Sequence, residues 1–287
     1  MTKKIAVIND LSGFGKCSLT AAISVIAAMG VQPCPLPTAV LSAQTGYDSY
    51  FLDDYTDKME PFFREWEKMG AAFDGIYTGF MAGSRQIEQV FAFLDIFYKR
   101  DTFLLVDPVM GDNGKQYAIF TPELLRLMKQ LVLRADIITP NLTELCLLTD
   151  TDHRMIENMT EERHLLTVIS QMARNIMQKG PKMVIVTGIQ FLDEADGKEK
   201  MGNLSVTKTE EHLCAFPYIG GSYSGTGDIF ASAVAAGTAK KEEITSVMEK
   251  VGAMIECAMR DAVQEQIPRN DGIEYEKYLW MLKGEQE

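Results

Sequence analysis

An α/β fold, with a mostly parallel sheet and helices on both faces, is predicted by three features of the sequence. Apolar β-type runs alternate with stretches of helical period along most of the chain. Three segments rich in Gly, Asp, Asn and Thr each follow directly on an apolar run, where α/β sheets bind their ligands, and a fourth, Gly225-Thr226-Gly227-Asp228, opens a helix. No Pro- or Ser-rich linker divides the 287 residues, so residues 1–287 are expected to form a single domain.

The elements follow in order. Short apolar runs predict strands at 4–9, 36–42, 75–79, 103–106, 136–139 and 182–187, and a polar β-rich stretch runs from about 190 to 217. Helical periods predict helices at 18–29, 57–69, 85–99, 121–133 and 160–178, with further helices from 226 and 242 onward. Asp150–Asn158 is polar and reads as an exposed loop. Gly237 reads as the stop of the Ala-rich helix that starts at 226.

Charge and composition narrow the partners. A formal charge of −12 argues against nucleic acid and anionic membranes, so small molecules are the expected partners. No apolar run approaches the roughly 20 residues of a membrane span, and Lys3-Lys4-Ile5-Ala6-Val7-Ile8 leads without a cleavable signal, so a cytoplasmic location is expected. The five cysteines are scattered without a Cys-x-x-Cys pair and read as reduced, mostly buried thiols. The sequons at Asn141, Asn158 and Asn203 carry no meaning in that compartment. The three histidines lack metal-ligand spacing, and methionines at helical spacing such as Met155 and Met159 read as core. Gly13-Phe14-Gly15-Lys16-Cys17-Ser18 is not a Walker A loop, because Cys17 stands where that motif needs Ser or Thr. Its glycines suit a turn that passes close to a ligand.

Gly225-Thr226-Gly227-Asp228 holds the most chemistry. The glycines let backbone N–H groups converge at a helix start, which makes an anion site. A carboxylate there repels phosphate, yet it is well placed to take a proton from an attacking hydroxyl. From these four residues alone, an Asp N-cap after a Gly turn explains the pattern equally well. Asp107-Pro108-Val109-Met110-Gly111, Thr139-Pro140-Asn141-Leu142-Thr143-Glu144 and Thr187-Gly188 supply further acids, amides and hydroxyls at strand ends.

In this order and spacing, the four segments resemble the pyridoxal kinase branch of the ribokinase-like superfamily, from Ile5 to about Met259. The resemblance implies a doubly wound sheet with a small β flap, and transfer of the ATP γ-phosphoryl group to a hydroxymethyl group of a vitamin B6 vitamer. It implies Asp228 as base, with Gly225, Thr226 and Gly227 completing an anion hole. Asp107, Asn141, Glu144 and Thr187 match residues around the triphosphate. Asp107, Thr139, Glu144 and Thr187 match positions near Mg²⁺ and a K⁺ ion often found there. Helix capping by Asn141 and Glu144, and a strand-end turn at Asp107, stay open as alternatives. On the acceptor side the resemblance points to Asn9, Ser12, Gln44, Thr45 and Phe80, although Gln44 replaces a usual His and Phe80 a usual Tyr. Relatives are commonly dimers, so a homodimer is expected. The rival branch, hydroxymethylpyrimidine kinase, typically carries Cys where Asp228 stands. A sugar kinase lacks support because its Gly-Gly signature is missing near the N-terminus, and retention of base and metal motifs argues against a non-catalytic ligand-binding relative.

Overall fold

The computed structural model describes residues 1–157, 159 and 161–283. In chain order the elements are β1 (Lys4–Ser12), α1 (Ser18–Ala28), β2 (Gln32–Leu41), β3 (Leu52–Asp54), α2 (Thr56–Lys68), β4 (Gly75–Thr78), α3 (Ser84–Phe97) and β5 (Phe103–Val106). Next come β6 (Gly111–Asp112), β7 (Lys115–Gln116), α4 (Pro122–Arg134), β8 (Ile137–Ile138), α5 (Leu142–Thr149), α6 (Arg154–Glu157) and α7 (Glu162–Met177). The chain closes with β9 (Met183–Leu192), β10 (Glu199–Thr207), β11 (Glu211–Pro217), α8 (Thr226–Lys240), α9 (Ile244–Gln264) and 3-10 turns at Arg269–Asp271 and Tyr275–Leu282. These fall into two compact units, Met1–Leu104 with Ile219–Glu287, and Leu105–Tyr218.

In the first unit the strand order is β4-β1-β2-β3, with β1 parallel to β4 and β2, and β3 antiparallel to β2. Strand β2 begins at Gln32, four residues before the apolar run suggests. The added residues include Pro33 and Pro35, and Pro37 follows at the same spacing. Gln32 donates its N–H to Lys3 of the β1 side at 2.8 Å. The nitrogens of the alternating prolines therefore face the other edge, where β3 pairs only with Ala39–Leu41 and no donor is needed. A register shift between Asn9 and Leu11 marks a bulge at Asp10, a device that re-aims side chains.

Helix α8 packs against α1, α9, β1 and β4. Ten of its 15 residues are buried, nearly all of them small. Gly237 does not end this helix. It lies inside, where a Cβ would sit 2.6 Å from Val247 Cγ2 of α9, and the stop comes at Lys241 with φ 61°. Glycine here permits close helix approach rather than a C-cap.

In the second unit the order is β11-β10-β9-β8-β5, with β5, β8 and β9 parallel and β10 and β11 antiparallel. The polar stretch from 190 is thus the end of β9 and the two antiparallel strands that follow. A small hairpin, β6 with β7, stands apart. Within the polar segment after Asp150, the chain forms the one-turn helix α6 around buried Ile156, so it is not all loop. Asn158 lies outside the described residues. Met155 is 65% exposed and is not core. Among the described residues, no helix is long and apolar enough to cross a membrane.

Helices α2 and α3 hold an aromatic cluster that supports the first unit. The Phe93 ring lies 4.6 Å from that of Phe97 and 5.6 Å from that of Phe63, and it also meets Trp66 and Phe73. Its side chain is fully buried. Phe93→Ala is expected to cost about 3–5 kcal/mol by lost transfer and an unfilled cavity. Urea unfolding followed by circular dichroism checks this, and a loss below about 1 kcal/mol would show that the cluster collapses onto the gap.

Candidate active site

Gly225 is held by two constraints. Its φ of 85° is left-handed, and a Cβ there would penetrate the carbonyl of Lys16. As the N-cap of α8 it offers no side chain, so the first-turn N–H groups of Thr226, Gly227 and Asp228 have no side-chain cap. A Cβ on Gly227 would meet nothing within 4 Å. Free donors, the positive end of the helix and open space in front make a receptor for an anion.

Asp228 belongs to this turn but does not cap it. Its Oδ1 accepts from Asn9 Nδ2 at 3.1 Å, and the Ser18 backbone N–H supplies a second donor. Burial pushes its carboxyl up to about 6, and the nearby Asp10 charge adds to the rise against the pull of the two donors. The residue remains half-buried. The N-cap reading that four residues left open is not what the chain does with this acid.

Around Asp228 the first unit gathers groups of which the sequence signalled only some. Asn9 and Ser12 are fully buried and Asp10 nearly so. Ser12 Oγ donates to Asp10 Oδ2 at 2.8 Å, and Ser18 also bonds Asp10 through its hydroxyl. Burial raises the Asp10 carboxyl. Ser18 adopts φ 52°, an uncommon left-handed value for a side-chain residue, and it thereby links the two carboxylates. Phe80 is half-buried and donates its N–H to Asn9 Oδ1 at 2.9 Å. Thr45 is exposed. The Gln44 amide has three internal partners: Nε2 donates to Ser224 Oγ at 3.3 Å and Asn270 O at 3.2 Å, while Oε1 accepts from Gly46 N at 2.7 Å. Ser224 and Asn270 carry no motif, and no local signal could have found them.

The second unit gathers the other set. Register pairs Val106 with Ile138, which brings Asp107 and Thr139 to neighbouring strand ends, and a bridge between Asn141 and Thr187 adds β9. Asp107 is 7% exposed. The buried Thr139 Oγ1 has no hydrogen-bond partner among the described residues. An unsatisfied buried hydroxyl at the strand end beside a carboxylate is a hard-oxygen pair suited to Mg²⁺ or K⁺. No group of three or more His, Cys, Asp or Glu that could hold a metal exists among the described residues. Mg²⁺ at phosphates needs only one or two protein ligands, so the donor set fits.

Asn141 and Glu144 form a capping box at the start of α5. Asn141 Oδ1 accepts from Glu144 N at 2.9 Å, and Glu144 Oε2 accepts from Asn141 N at 2.8 Å. Glu144 Oε1 accepts from Met110 N at 3.0 Å, and the Gly111 N–H adds a further donor. Asn141 Nδ2 donates to Gly111 O at 2.8 Å. Burial raises the Glu144 carboxyl. Both its oxygens are thus committed to backbone N–H groups, and the capping alternative is realised.

Comparison with known proteins gives a consistent picture. A protein of Bacteroides thetaiotaomicron, described as a phosphomethylpyrimidine kinase and crystallised with pyridoxal, is 34% identical with a TM-score of 0.88, covering 98% of this chain and 96% of that one. The pyridoxal kinase PdxY of Leifsonia xyli is 27% identical over 90% of this chain and 92% of its own. Pyridoxal kinase from Lactobacillus plantarum, at 24% identity and a TM-score of 0.82 over 98% of this chain and 97% of that one, shares the ribokinase-like fold. A model of the phosphomethylpyrimidine kinase family matches residues 15–270, and the chain belongs to that family, within the pyridoxal kinase branch of the ribokinase-like superfamily.

Proposed function

We propose that the protein transfers the γ-phosphoryl group of ATP to the 5′-hydroxymethyl group of a vitamin B6 vitamer, giving the 5′-phosphate. The observation that carries this reading is the α8 turn, where uncapped N–H donors and a carboxylate lifted to about 6 occur together. Such a carboxylate accepts a proton near neutral pH more effectively than an ordinary Asp. Asp228 removes the hydroxyl proton as the oxygen bonds to the γ-phosphorus and the bond to the β-γ bridging oxygen breaks, releasing ADP. The N–H groups of Gly225 to Asp228 stabilise charge on the phosphoryl oxygens in flight. Asp107, Thr139, Asn141 and Thr187 serve the triphosphate and its cations, with Glu144 holding their loops in place. Bound Mg²⁺ would neutralise charge on the β- and γ-oxygens, and K⁺ is a second cation in the same reading. A cytoplasmic homodimer completes it.

A panel of pyridoxal, pyridoxine, pyridoxamine and hydroxymethylpyrimidine, read by ADP release and mass detection of product, tests the acceptor. At least one vitamer is expected to gain a phosphate. Phosphate on the pyrimidine alone would move the assignment to the pyrimidine kinase branch.

Asp228→Asn keeps size and one acceptor oxygen but removes the proton acceptor, so kcat is expected to fall about 10²- to 10⁴-fold with ATP affinity retained. In the wild type, kcat/KM is expected to rise with pH through about 6, because the base acts ionised. Stability runs the opposite way. The native state holds this proton up to about 6, against an ordinary value of 3.8, so stability falls as pH rises across that window. Asp228→Asn is therefore expected to raise Tm at pH 7, and a variant retaining more than about a tenth of kcat would remove the base role.

Glu144→Gln tests the capping assignment. A Gln amide offers one acceptor oxygen and points its NH₂ at backbone N–H groups, so a loss of about 1–3 kcal/mol is expected. Denaturation at fixed Mg²⁺ reads this, and an unchanged Tm with a raised Mg²⁺ requirement would return Glu144 to the metal.

A further inference from the structure

We infer that Asn9 is a positioning residue for the base, holding Asp228 ionised and aimed, rather than a contact to the acceptor ring. The inference rests on the phosphoryl-transfer reading above. The amide orientation follows from its neighbours. Asn9 Oδ1 accepts from two backbone N–H groups, Asp10 at 3.0 Å and Phe80 at 2.9 Å, so the oxygen is spent and Nδ2 must face the other way. There it donates to Asp228 Oδ1 at 3.1 Å. Asn9 is wholly buried. Gly79 closes the last side, since a Cβ there would lie 2.6 Å from the amide carbon of Asn9. Gly79 is not in the left-handed region, so space for this amide is what demands glycine at that position.

A fixed donor on one carboxylate oxygen does two things. It orients the carboxylate so that its other oxygen is left for a hydroxyl, and it favours the ionised form. That second effect works against the surroundings. Asp10 from β1, Cys17 before α1 and Tyr275 of the C-terminal turn all face Asp228, each neutral or negative, with no cation among them to hold the charge. The Asn9 amide and the Ser18 N–H do so instead.

The test uses Asn9→Asp and Gly79→Ala in the full chain. Asn9→Asp keeps an acceptor for both backbone N–H groups, so the loop retains its partners, yet it loses the donor. The acidic limb of kcat/KM is expected to move up by about one pH unit or more, since a hydrogen bond to a charged group is worth that much. Gly79→Ala should shift it in the same direction by displacing the amide without touching the base. A merely structural role would lower kcat at every pH and leave the limb in place, which would overturn the inference. The exchange Asn9→Asp with Asp228→Asn supplies a readout independent of turnover, because the donor and acceptor then trade places. Urea stability at pH 7 lost in Asn9→Asp is expected to return in the double variant, while activity stays lost. Because Asp228→Asn alone is expected to stabilise at pH 7, a double variant whose stability equals the sum of the two single changes would overturn the pairing. If the wild type phosphorylates no acceptor, the function reading fails on its own, and the stability cycle still judges Asn9.

Discussion

The contact between Gly225 and the Lys16 carbonyl sets the geometry of the base. No Cβ fits between them, so the turn into α8 presses directly on the loop after β1. That approach leaves the start of α8 without a side-chain cap and brings the Ser18 N–H to Asp228. The cost is visible in the left-handed backbone of Ser18, a residue with a side chain. Strain of this kind persists only where surrounding structure over-determines it, and it concentrates at working sites.

Two acids, one enclosed and one half-buried, illustrate how environment assigns a role. Glu144 is enclosed and accepts from the backbone N–H groups of Met110, Gly111 and Asn141, which ties a strand-end loop to a helix start. Its lone pairs are largely committed, so its best use is structural. Among the described residues, Asp228 meets one side-chain donor and one backbone donor, and it keeps some exposure to solvent. Spare acceptor capacity and a raised carboxyl are what a general base requires. Residue type alone could not separate these two, because both occur next to glycine- or proline-bearing turns at helix starts.

That limit explains what the sequence revealed and what it hid. The alternation of strands and helices was legible because burial on both sheet faces imposes continuous apolar runs. Asp107, Thr139 and Asn141 at strand ends were legible for the same reason. The early start of β2 was hidden, since the meaning of its prolines depends on which edge of the strand lacks a partner, and that is a tertiary fact. Gly237 misled likewise: a close helix contact and a C-cap select the same residue. Gln44 looks like a ring contact by position, yet its amide is committed to Ser224, Gly46 and Asn270, the last more than 200 positions away in the chain. Hydrogen bonds of that sequence separation leave no local trace.

The same long-range bonds show what steadies an otherwise costly site. Raised carboxyls, positive φ values and an uncapped helix start each subtract from stability. Against them, Gln44 and Ser224 are tied to the segment around Asn270, Tyr47 Oη donates to Asp271 at 2.5 Å, and Lys16 pairs with Glu274 and Glu276. Each of these bonds is partly exposed and individually modest. Their common effect is geometric, because they fix the loops on either side of Gly225 from outside. The buried, Ala-rich body of α8 fixes the turn from inside, and its small side chains allow α9 to approach closely at Gly237. A base held between a rigid helix and a tied-down loop needs little reorganisation when a hydroxyl arrives, which is the condition under which fixed donors act most strongly on developing charge.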